Sequence, residues 1–373
     1  MNARASFAPQ VGMDDEAAAW LEEFGEALRD PWWRLTSGHL YKIMTKDDEG
    51  QPSAVVPFIP NDAQLDLLGN LWHRNAIPKS RQLGITTAVC ILFTDHAAFN
   101  ADQRCGLVAH DLPSAQSIFR DKVRFAYRNL PDALRALMPL AKDAADELLF
   151  AHNNSSFRVA VSMRSGTLHR MHVSELAKLA RHHPIRAEEV ITGTLPAVPA
   201  NGIAIVESTS QGPYGPFFDI CKQARAARDQ SKILTPKDYR LHFYGWWMDR
   251  KNRLDPTHVL MTPNDHAYFA AVEADTGIPL DLEQRAWYVA TRDGGEFAGN
   301  ADLMFQENPS TLDECWNQNL KGTYYAHELA RARLQGRIAR FPFVSHVPVN
   351  SFWDLGSNDG TGVWLHQHVA PWH

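Results

Sequence analysis

The stretch IPKSRQLGITT, from Ile77 to Thr87, carries the residues of a phosphate-binding loop in an unusual order. Such loops usually read G-x-x-x-x-G-K-[ST]. Here Gly84 and Thr86 fill the second glycine and hydroxyl positions, whereas Ile85 replaces the lysine and Lys79 replaces the first glycine. A phosphate cradle needs backbone N–H groups at a helix N-terminus, where the helix dipole favours anions. We therefore expect Thr86 to ligate Mg²⁺ and Lys79 to fold back over the phosphates; a chance match is the alternative.

Two later stretches could complete a site for phosphoryl transfer. LHRMHVSELAKLA contains an apolar strand that ends in Ser174 and Glu175. In P-loop ATPases the corresponding strand ends in Asp-Glu, where the aspartate orients the Mg²⁺ shell and the glutamate polarises the attacking water. IAIVESTSQG is an apolar strand that runs into small hydroxyl residues, among them Thr209, which could sense the γ-phosphate. Arg81 could hold the γ-phosphate with its planar guanidinium. The alternatives are a solvated glutamate at a strand end and an ordinary turn.

Composition excludes several classes of protein. The 373 residues include 45% hydrophobic and 21% charged residues, which is typical of a globular protein of two or three domains. We find no apolar stretch as long as the roughly 18 residues of a membrane span, and no secretory signal. Four scattered cysteines fit a reducing cytosol rather than a zinc site or a disulfide frame. A net charge of −6 restricts any nucleic-acid contact to a local patch.

The order of predicted elements indicates a three-layer α/β domain. From residue 60 onward, helical patterns alternate with short apolar runs. Asn61 is predicted to cap a helix, and Asp111 to cap a later one. The segment that follows the loop, TTAVCILFTDHAAF, is apolar nearly all round and is therefore predicted to be a buried helix.

Six stretches, in this order, resemble motifs of the large terminase subunit of tailed bacteriophages, a DNA-packaging motor. FIPNDAQLDLL resembles the adenine-side motif and KSRQLGITT a deviant Walker A whose lysine stands at the front of the loop. SELAKL follows a strand as in Walker B, and VESTSQG resembles the coupling motif. GWW and FQENPSTLDECW also resemble stretches found in this family. The resemblance covers residues 40–373 and implies a RecA/ASCE-like P-loop NTPase fold.

The resemblance implies a set of site residues for ATP and Mg²⁺. Glu175, Lys79, Arg81 and Arg164 would be catalytic, Arg164 as a finger that reaches a neighbouring subunit; a surface arginine is the alternative. Thr86 and Ser174 would hold the metal. The implied nucleotide contacts are Phe58, Gln64, Lys79, Ser80, Gln82, Gly84, Thr86, Thr87, Ser174 and Thr209. Because Ser174 carries no charge, we expect a raised Mg²⁺ requirement, and Pro78 predicts an early end to the strand before the loop.

The C-terminal stretch SFWDLGSNDGTGVW predicts a β-hairpin. It resembles the opening of the RNase H-like nuclease of terminases, which implies that Asp354 is the first ligand of a two-metal site for Mg²⁺ or Mn²⁺. The predicted domains are an ATPase domain with a helical extension (1–240), a lid/linker subdomain (241–345) and the start of a nuclease domain (346–373). Because the remaining nuclease strands are missing from the sequence, we expect it to be truncated.

The implied partners are double-stranded DNA, a portal protein, a small terminase subunit and further copies of the chain in a ring on the procapsid, with no membrane. The implied location is the cytoplasm of the infected bacterial host. Two alternatives stay open at this point. A superfamily 2-like helicase would share the glutamine and Walker motifs but needs a second RecA-like domain. A nucleotide-binding structural subunit without hydrolysis would be consistent with Ile85 and Ser174.

Overall fold

The computed structural model describes residues 13–45, 54–163, 166–317, 337, 342–355 and 361–369. Contacts divide the chain into two compact units, Met1–Gln318 and Asn319–His373. The predicted boundaries at residues 240 and 345 stay predictions. Among the described residues, no helix combines the length and the apolar character needed to cross a bilayer.

The first unit contains thirteen α-helices and ten strands among its described residues. The helices are α1 (Asp15–Phe24), α2 (Pro31–Thr36), α3 (Asp62–Gly69), α4 (Ile85–Phe99), α5 (Leu112–Ile118), α6 (Phe125–Arg128), α7 (Asp132–Leu137), α8 (Leu176–His182), α9 (Pro184–Glu189), α10 (Gly215–Asp229), α11 (Pro263–Thr276), α12 (Leu282–Asp293) and α13 (Ala301–Glu307). The strands are β1 (Lys42–Met44), β2 (Val55–Pro57), β3 (Arg74–Pro78), β4 (Arg104–Val108), β5 (Leu140–Asp143), β6 (Glu147–Phe150), β7 (Ser156–Ala160), β8 (Arg170–Ser174), β9 (Ile203–Ser208) and β10 (Tyr239–Leu241).

Eight of these strands form one sheet in the order β10-β3-β9-β8-β4-β7-β6-β5. The strands from β10 to β7 are parallel, and β6 and β5 add an antiparallel edge. Strands β9 and β8 stand between β3, which leads into the loop, and β4, which follows it in the chain. This order brings the ends of β3, β8 and β9 together at one edge of the sheet. The carboxyl edge of a parallel sheet is where α/β proteins bind ligands.

The predicted three layers are confirmed by how successive strand residues alternate between two cores. Ile77 of β3 and Ile205 of β9 belong to one buried cluster, which includes α4. Their neighbours Ala76 and Val206 belong to a second cluster, which includes α8 and α10. Successive strand side chains point to opposite faces of a sheet, so helices cover both faces.

Local signals in the sequence place the helices correctly. Asn61 caps α3 and forms a reciprocal capping box with Gln64. Asp111 caps α5 by accepting a hydrogen bond from Ser114 N at 2.7 Å. The predicted buried helix is α4, most of whose residues are buried. The apolar all-round pattern predicts a buried helix, and this prediction is confirmed.

A third buried cluster lies beyond β10 in the first unit. It is built around Trp246, with Phe269 from α11, Tyr288 from α12 and Met304 from α13. Trp246 is fully buried and its indole N–H donates to Ser310 Oγ at 2.7 Å. This cluster fixes the segment around residues 307–310, which contacts the phosphate-loop candidate described below.

The second unit contains the predicted hairpin. Strand β11 (Val349–Leu355) pairs with β12 (Thr361–Gln367) in antiparallel register, with Asp354 opposite Gly362. Trp353 and Trp364 are exposed.

Candidate functional site

The loop between β3 and α4 starts from a firmly paired strand end. Pro78 is the last residue of β3: it pairs with Ser208, and its carbonyl accepts a hydrogen bond from Tyr244 N at 3.3 Å. Lys79 N donates to Ser208 O at 3.3 Å, and Ser80 N donates to Tyr244 O at 2.8 Å. The strand thus ends at the proline, which keeps its carbonyl for pairing, and the backbone contacts of Lys79 and Ser80 continue beyond it.

The far end of the loop turns through left-handed backbone. Gly84 has φ 71° and caps α4, and Gln82 has φ 65°. A Cβ on Gly84 would lie 2.5 Å from Gln64 Nε2, which donates to Gly84 O at 2.8 Å. The positive φ favours glycine, and a Cβ here would also require the Gln64 amide to shift. Asn61 Nδ2 adds a bond to Leu83 O at 3.1 Å, so that α3 holds the loop directly. Gln64 acts here as a brace, and its predicted contact with adenine stays a prediction.

The early part of the loop is held by the segment after α13. Ser80 is fully buried and its Oγ donates to Asn308 Oδ1 at 3.0 Å. Arg81 N donates to Glu307 O at 2.7 Å. The Arg81 side chain is 41% exposed, with Nη1 4.0 Å from Glu296 Oε2. The hydroxyl of Ser80 therefore faces Asn308, whereas the guanidinium of Arg81 extends from the loop surface.

Lys79 turns its ammonium toward two carboxylates below the loop. Nζ lies 3.1 Å from Glu207 Oε2 and 3.7 Å from Glu175 Oε1. Burial alone would lower the pKa of Lys79, but the charges of Glu207 and Glu175 outweigh it and raise that pKa. The front-of-loop lysine thus reaches the edge where β8 and β9 end, and it is charged there. Its predicted contact with the phosphates stays a prediction.

Glu207, the residue before the hydroxyls of β9, is at the centre of this cluster. Its side chain is fully buried, and its Oε1 accepts from Thr86 Oγ1 at 2.8 Å and from Ser174 Oγ at 2.8 Å. His172 Nε2 lies 3.2 Å from the same oxygen. Burial would raise the pKa of Glu207, but the Lys79 charge and the hydrogen bonds from His172 and Thr86 hold it well below its usual range. Glu207 is therefore a buried carboxylate ion.

Glu175 follows β8 in a strained conformation. Its φ of 59° is left-handed, which is unusual for a residue with a side chain. Its N–H donates to Glu207 O at 2.8 Å, and Oε2 accepts from Ser208 Oγ at 3.1 Å. The turn from β8 into α8 thus presents a partly exposed carboxylate at the sheet edge. Backbone strain of this kind costs about 1–3 kcal/mol and clusters at functional sites.

Three other predicted site residues do not contact the Glu207 carboxylate. Thr87 Oγ1 accepts from Lys122 Nζ at 2.8 Å. Thr209 is buried at the end of β9, and its hydroxyl has no hydrogen-bond partner among the described residues. Phe58 is only 2% exposed and belongs to the first core cluster, so its ring offers no open face for stacking in this structure. Its predicted contact with adenine stays a prediction.

The remaining predictions concern other parts of the chain. Arg164 lies outside the described residues. Asp354 is exposed on β11 of the second unit. Across the described residues, no group of three or more His, Cys, Asp or Glu side chains is arranged to hold a metal ion. A nuclease centre at Asp354 therefore stays a prediction.

Two residues of the site were missed by the sequence analysis. Glu207 had a detectable signal, because an acidic residue inside the apolar run IAIVES must be paired if it is buried. Asn308 had none, since its contact with Ser80 joins positions far apart in the chain. The coupling-like motif VESTSQG points to the hydroxyls after Glu207, whereas the carboxylate itself is part of the site.

The strand order and the loop between β3 and α4 define an α/β fold of the RecA-like P-loop NTPase class. No family model matches the chain, and no curated protein does. Solved structures similar to it include the large terminase ATPase domain of Thermus phage P74-26, at 17% identity and TM-score 0.41 over 62% of this chain and 92% of that one. The HK97 bacteriophage large terminase is 12% identical, with TM-score 0.47 over 74% of this chain and 54% of that one.

A third similar structure is the large terminase of a thermophilic bacteriophage in complex with ATP-γ-S. It is 15% identical, with TM-score 0.33 over 56% of this chain and 48% of that one. The chain thus matches about half the length of this protein and of the HK97 terminase.

Proposed function

We propose that the chain binds and hydrolyses ATP at the edge formed by β3, β8 and β9. The observation that supports this most directly is the meeting of Lys79, Thr86 and Glu175 at one carboxyl edge, although they come from three separate stretches. A loop at the N-terminus of α4 supplies backbone N–H groups for phosphate, and Lys79 supplies a buried cation. Glu175 supplies a carboxylate within reach of that cation.

The proposed reaction is attack of water on the γ-phosphorus. A bond forms between the water oxygen and phosphorus, and the bond to the oxygen bridging to the β-phosphorus breaks, with its electrons leaving on ADP. Glu175 accepts a hydrogen bond from the water and takes its proton, which then passes to solvent. Lys79 stabilises the negative charge on the phosphate oxygens, and Arg81 can add a second cation from the loop.

The residues present fit a magnesium ion carried in with the nucleotide. The Thr86 hydroxyl donates a hydrogen bond to Glu207, which leaves the lone pairs of Oγ1 available for a cation. Ser174 donates in the same way. Bound Mg²⁺ would neutralise charge on the β- and γ-phosphates. Thr86 and Ser174 are the residues that we expect to face it.

A steady-state ATPase assay tests this proposal. We expect Mg²⁺-dependent phosphate release from the chain and its collapse in Glu175→Gln. The matched control is Glu26→Gln, which removes a carboxylate that is 82% exposed on another part of the unit. A chain that binds ATP and releases no phosphate under any condition would instead be a nucleotide-binding structural subunit.

The finer proposal is that hydrolysis drives double-stranded viral DNA into a procapsid. It is supported by the six motif-like stretches in the order found in large terminases. The partners would then be a portal protein, a small terminase subunit and further copies of this chain in a ring, in the cytoplasm of the infected bacterial host. Packaging of linear DNA into purified procapsids by the chain and these partners would test it. Strand separation of a DNA duplex without procapsids would favour the helicase alternative.

A further inference from the structure

Ser174 and Glu207 are register partners on the adjacent parallel strands β8 and β9. Position 174 is where the aspartate of the metal shell stands in P-loop ATPases, and serine brings no charge to it. We propose that Glu207 is the positioning residue that replaces this aspartate and sets the metal-facing hydroxyls from the neighbouring strand. This role rests on the proposed ATP site and deepens it.

The first support is the direction of two hydroxyl protons. Thr86 Oγ1 and Ser174 Oγ each lie 2.8 Å from Glu207 Oε1 and donate to it. A hydroxyl has one proton and two lone pairs, so each oxygen then presents only lone pairs to its other neighbours. Such oxygens are suited to a hard cation or to its bound water. One carboxylate therefore orients both hydroxyls at once.

The second support is the dependence of the other oxygen on Lys79. Glu207 Oε2 is buried, and among the described residues the contact that satisfies it is the ion pair with Lys79 Nζ at 3.1 Å. A buried carboxylate oxygen needs such a partner. Here one oxygen depends on a cation that must also serve the phosphates. When Lys79 turns to the nucleotide, Glu207 is left facing the metal side of the site.

The third support is the position of the negative charge. Glu207 belongs to β9, and its side chain reaches the Ser174 hydroxyl on β8 and the Thr86 hydroxyl at the start of α4. The charge therefore lies next to the place that an aspartate at residue 174 would occupy. The raised Mg²⁺ requirement was expected because Ser174 carries no charge. If Glu207 supplies a negative charge next to Ser174, that reason no longer applies.

The test measures the gain from metal, which is the factor by which Mg²⁺ strengthens nucleotide binding. The probe is fluorescent N-methylanthraniloyl-ADP, titrated with Mg²⁺ or with EDTA, and Mn²⁺ electron paramagnetic resonance gives a separate spectroscopic signature. In Glu207→Gln we expect the gain from metal to fall by about 10- to 100-fold, as for other residues that orient metal ligands. Affinity in EDTA should stay equal or rise, because Lys79 is released from Glu207.

A double variant tests the position of the charge without removing it from the site. In Ser174→Asp/Glu207→Gln the charge has moved from β9 to β8, and the gain should recover at least tenfold over Glu207→Gln alone. Glu26→Gln serves as the control with an unchanged gain.

The outcomes separate this inference from the proposed function. A normal gain from Mg²⁺ in Glu207→Gln overturns the role of Glu207 and leaves the ATP site standing. A structural role alone would lower both affinities together in Glu207→Gln without recovery in the double variant, and that result also overturns it. A native chain that binds no nucleotide would overturn the proposed function itself, and the inference with it.

Discussion

The ammonium of Lys79 lies 3.7 Å from Oε1 of Glu175, so the proposed phosphate cation and the proposed base are neighbours. ATP must compete with this carboxylate, and with Glu207, for the same lysine. Removing the charge of Glu175 should therefore free Lys79 for the phosphates while it removes the group that polarises water.

For Glu175→Gln we accordingly expect ATP to bind as tightly as to the native chain or more tightly, while turnover collapses. Calorimetric titration with ATP and a phosphate-release assay give the two numbers separately. Glu26→Gln again serves as the control. Weakened ATP binding with turnover otherwise preserved would make Glu175 a binding residue and remove it from catalysis.

For Lys79→Ala we expect hydrolysis to be abolished, a loss of about 3 kcal/mol or more of transition-state stabilisation. The substitution also leaves Glu207 as an unpaired buried charge, which typically costs about 3–5 kcal/mol of folding stability. The double variant Lys79→Ala/Glu207→Gln should recover much of this stability in thermal unfolding and stay inactive. Lys142→Ala removes an exposed lysine on β5 and is the control. Full activity in Lys79→Ala would refute the assignment.

The sequence predicted the parts of this site that depend on local signals. Gly84 and Thr86 follow from the start of a helix, and Glu175 from the end of an apolar strand. Glu207 could not be placed in the same way, because its partners Thr86 and Ser174 come from other elements and meet it only through the order of strands. The predicted adenine contact of Phe58 shows a second limit of sequence reasoning. The motif locates Phe58 in the chain, but it does not reveal that the side chain is buried. That burial comes from the core cluster to which α3 and the N-terminal helices also contribute.

The buried charge of Glu207 predicts a particular dependence of stability on pH. Its pKa is depressed in the folded chain, so its contribution is present above its ordinary pKa near 4.5 and is lost as the pH falls toward the folded value. The difference in free energy of unfolding between the native chain and Glu207→Gln should therefore shrink as the pH falls below about 4.5. Urea unfolding at several pH values measures it. A difference that does not change with pH would mean that Glu207 is not ionised in the fold.

Arg164 was predicted to complete the site of a neighbouring copy. If it does, ATPase activity of the isolated chain should be weak and should rise with concentration or with DNA and portal protein present. Arg164→Ala and Glu175→Gln subunits, each inactive alone, should then regain activity when mixed, because a mixed interface pairs an intact Glu175 with an intact Arg164. Absence of recovery at every ratio would exclude action between subunits.

The last prediction is that this 373-residue chain does not cut DNA. Two-metal hydrolysis needs several oxygen ligands around ions roughly 3.5–4 Å apart, so that the attacking and leaving oxygens are both stabilised. Asp354 contributes one carboxylate, and the described residues hold no group of three or more metal-ligating side chains. It is also exposed on β11 of a two-stranded hairpin, where water competes for any cation. The measurement is nicking of supercoiled plasmid with Mg²⁺ or Mn²⁺, with Asp302→Ala as the matched carboxylate control. Nicking that persists in this control and disappears in Asp354→Ala would show that the hairpin already belongs to a working nuclease.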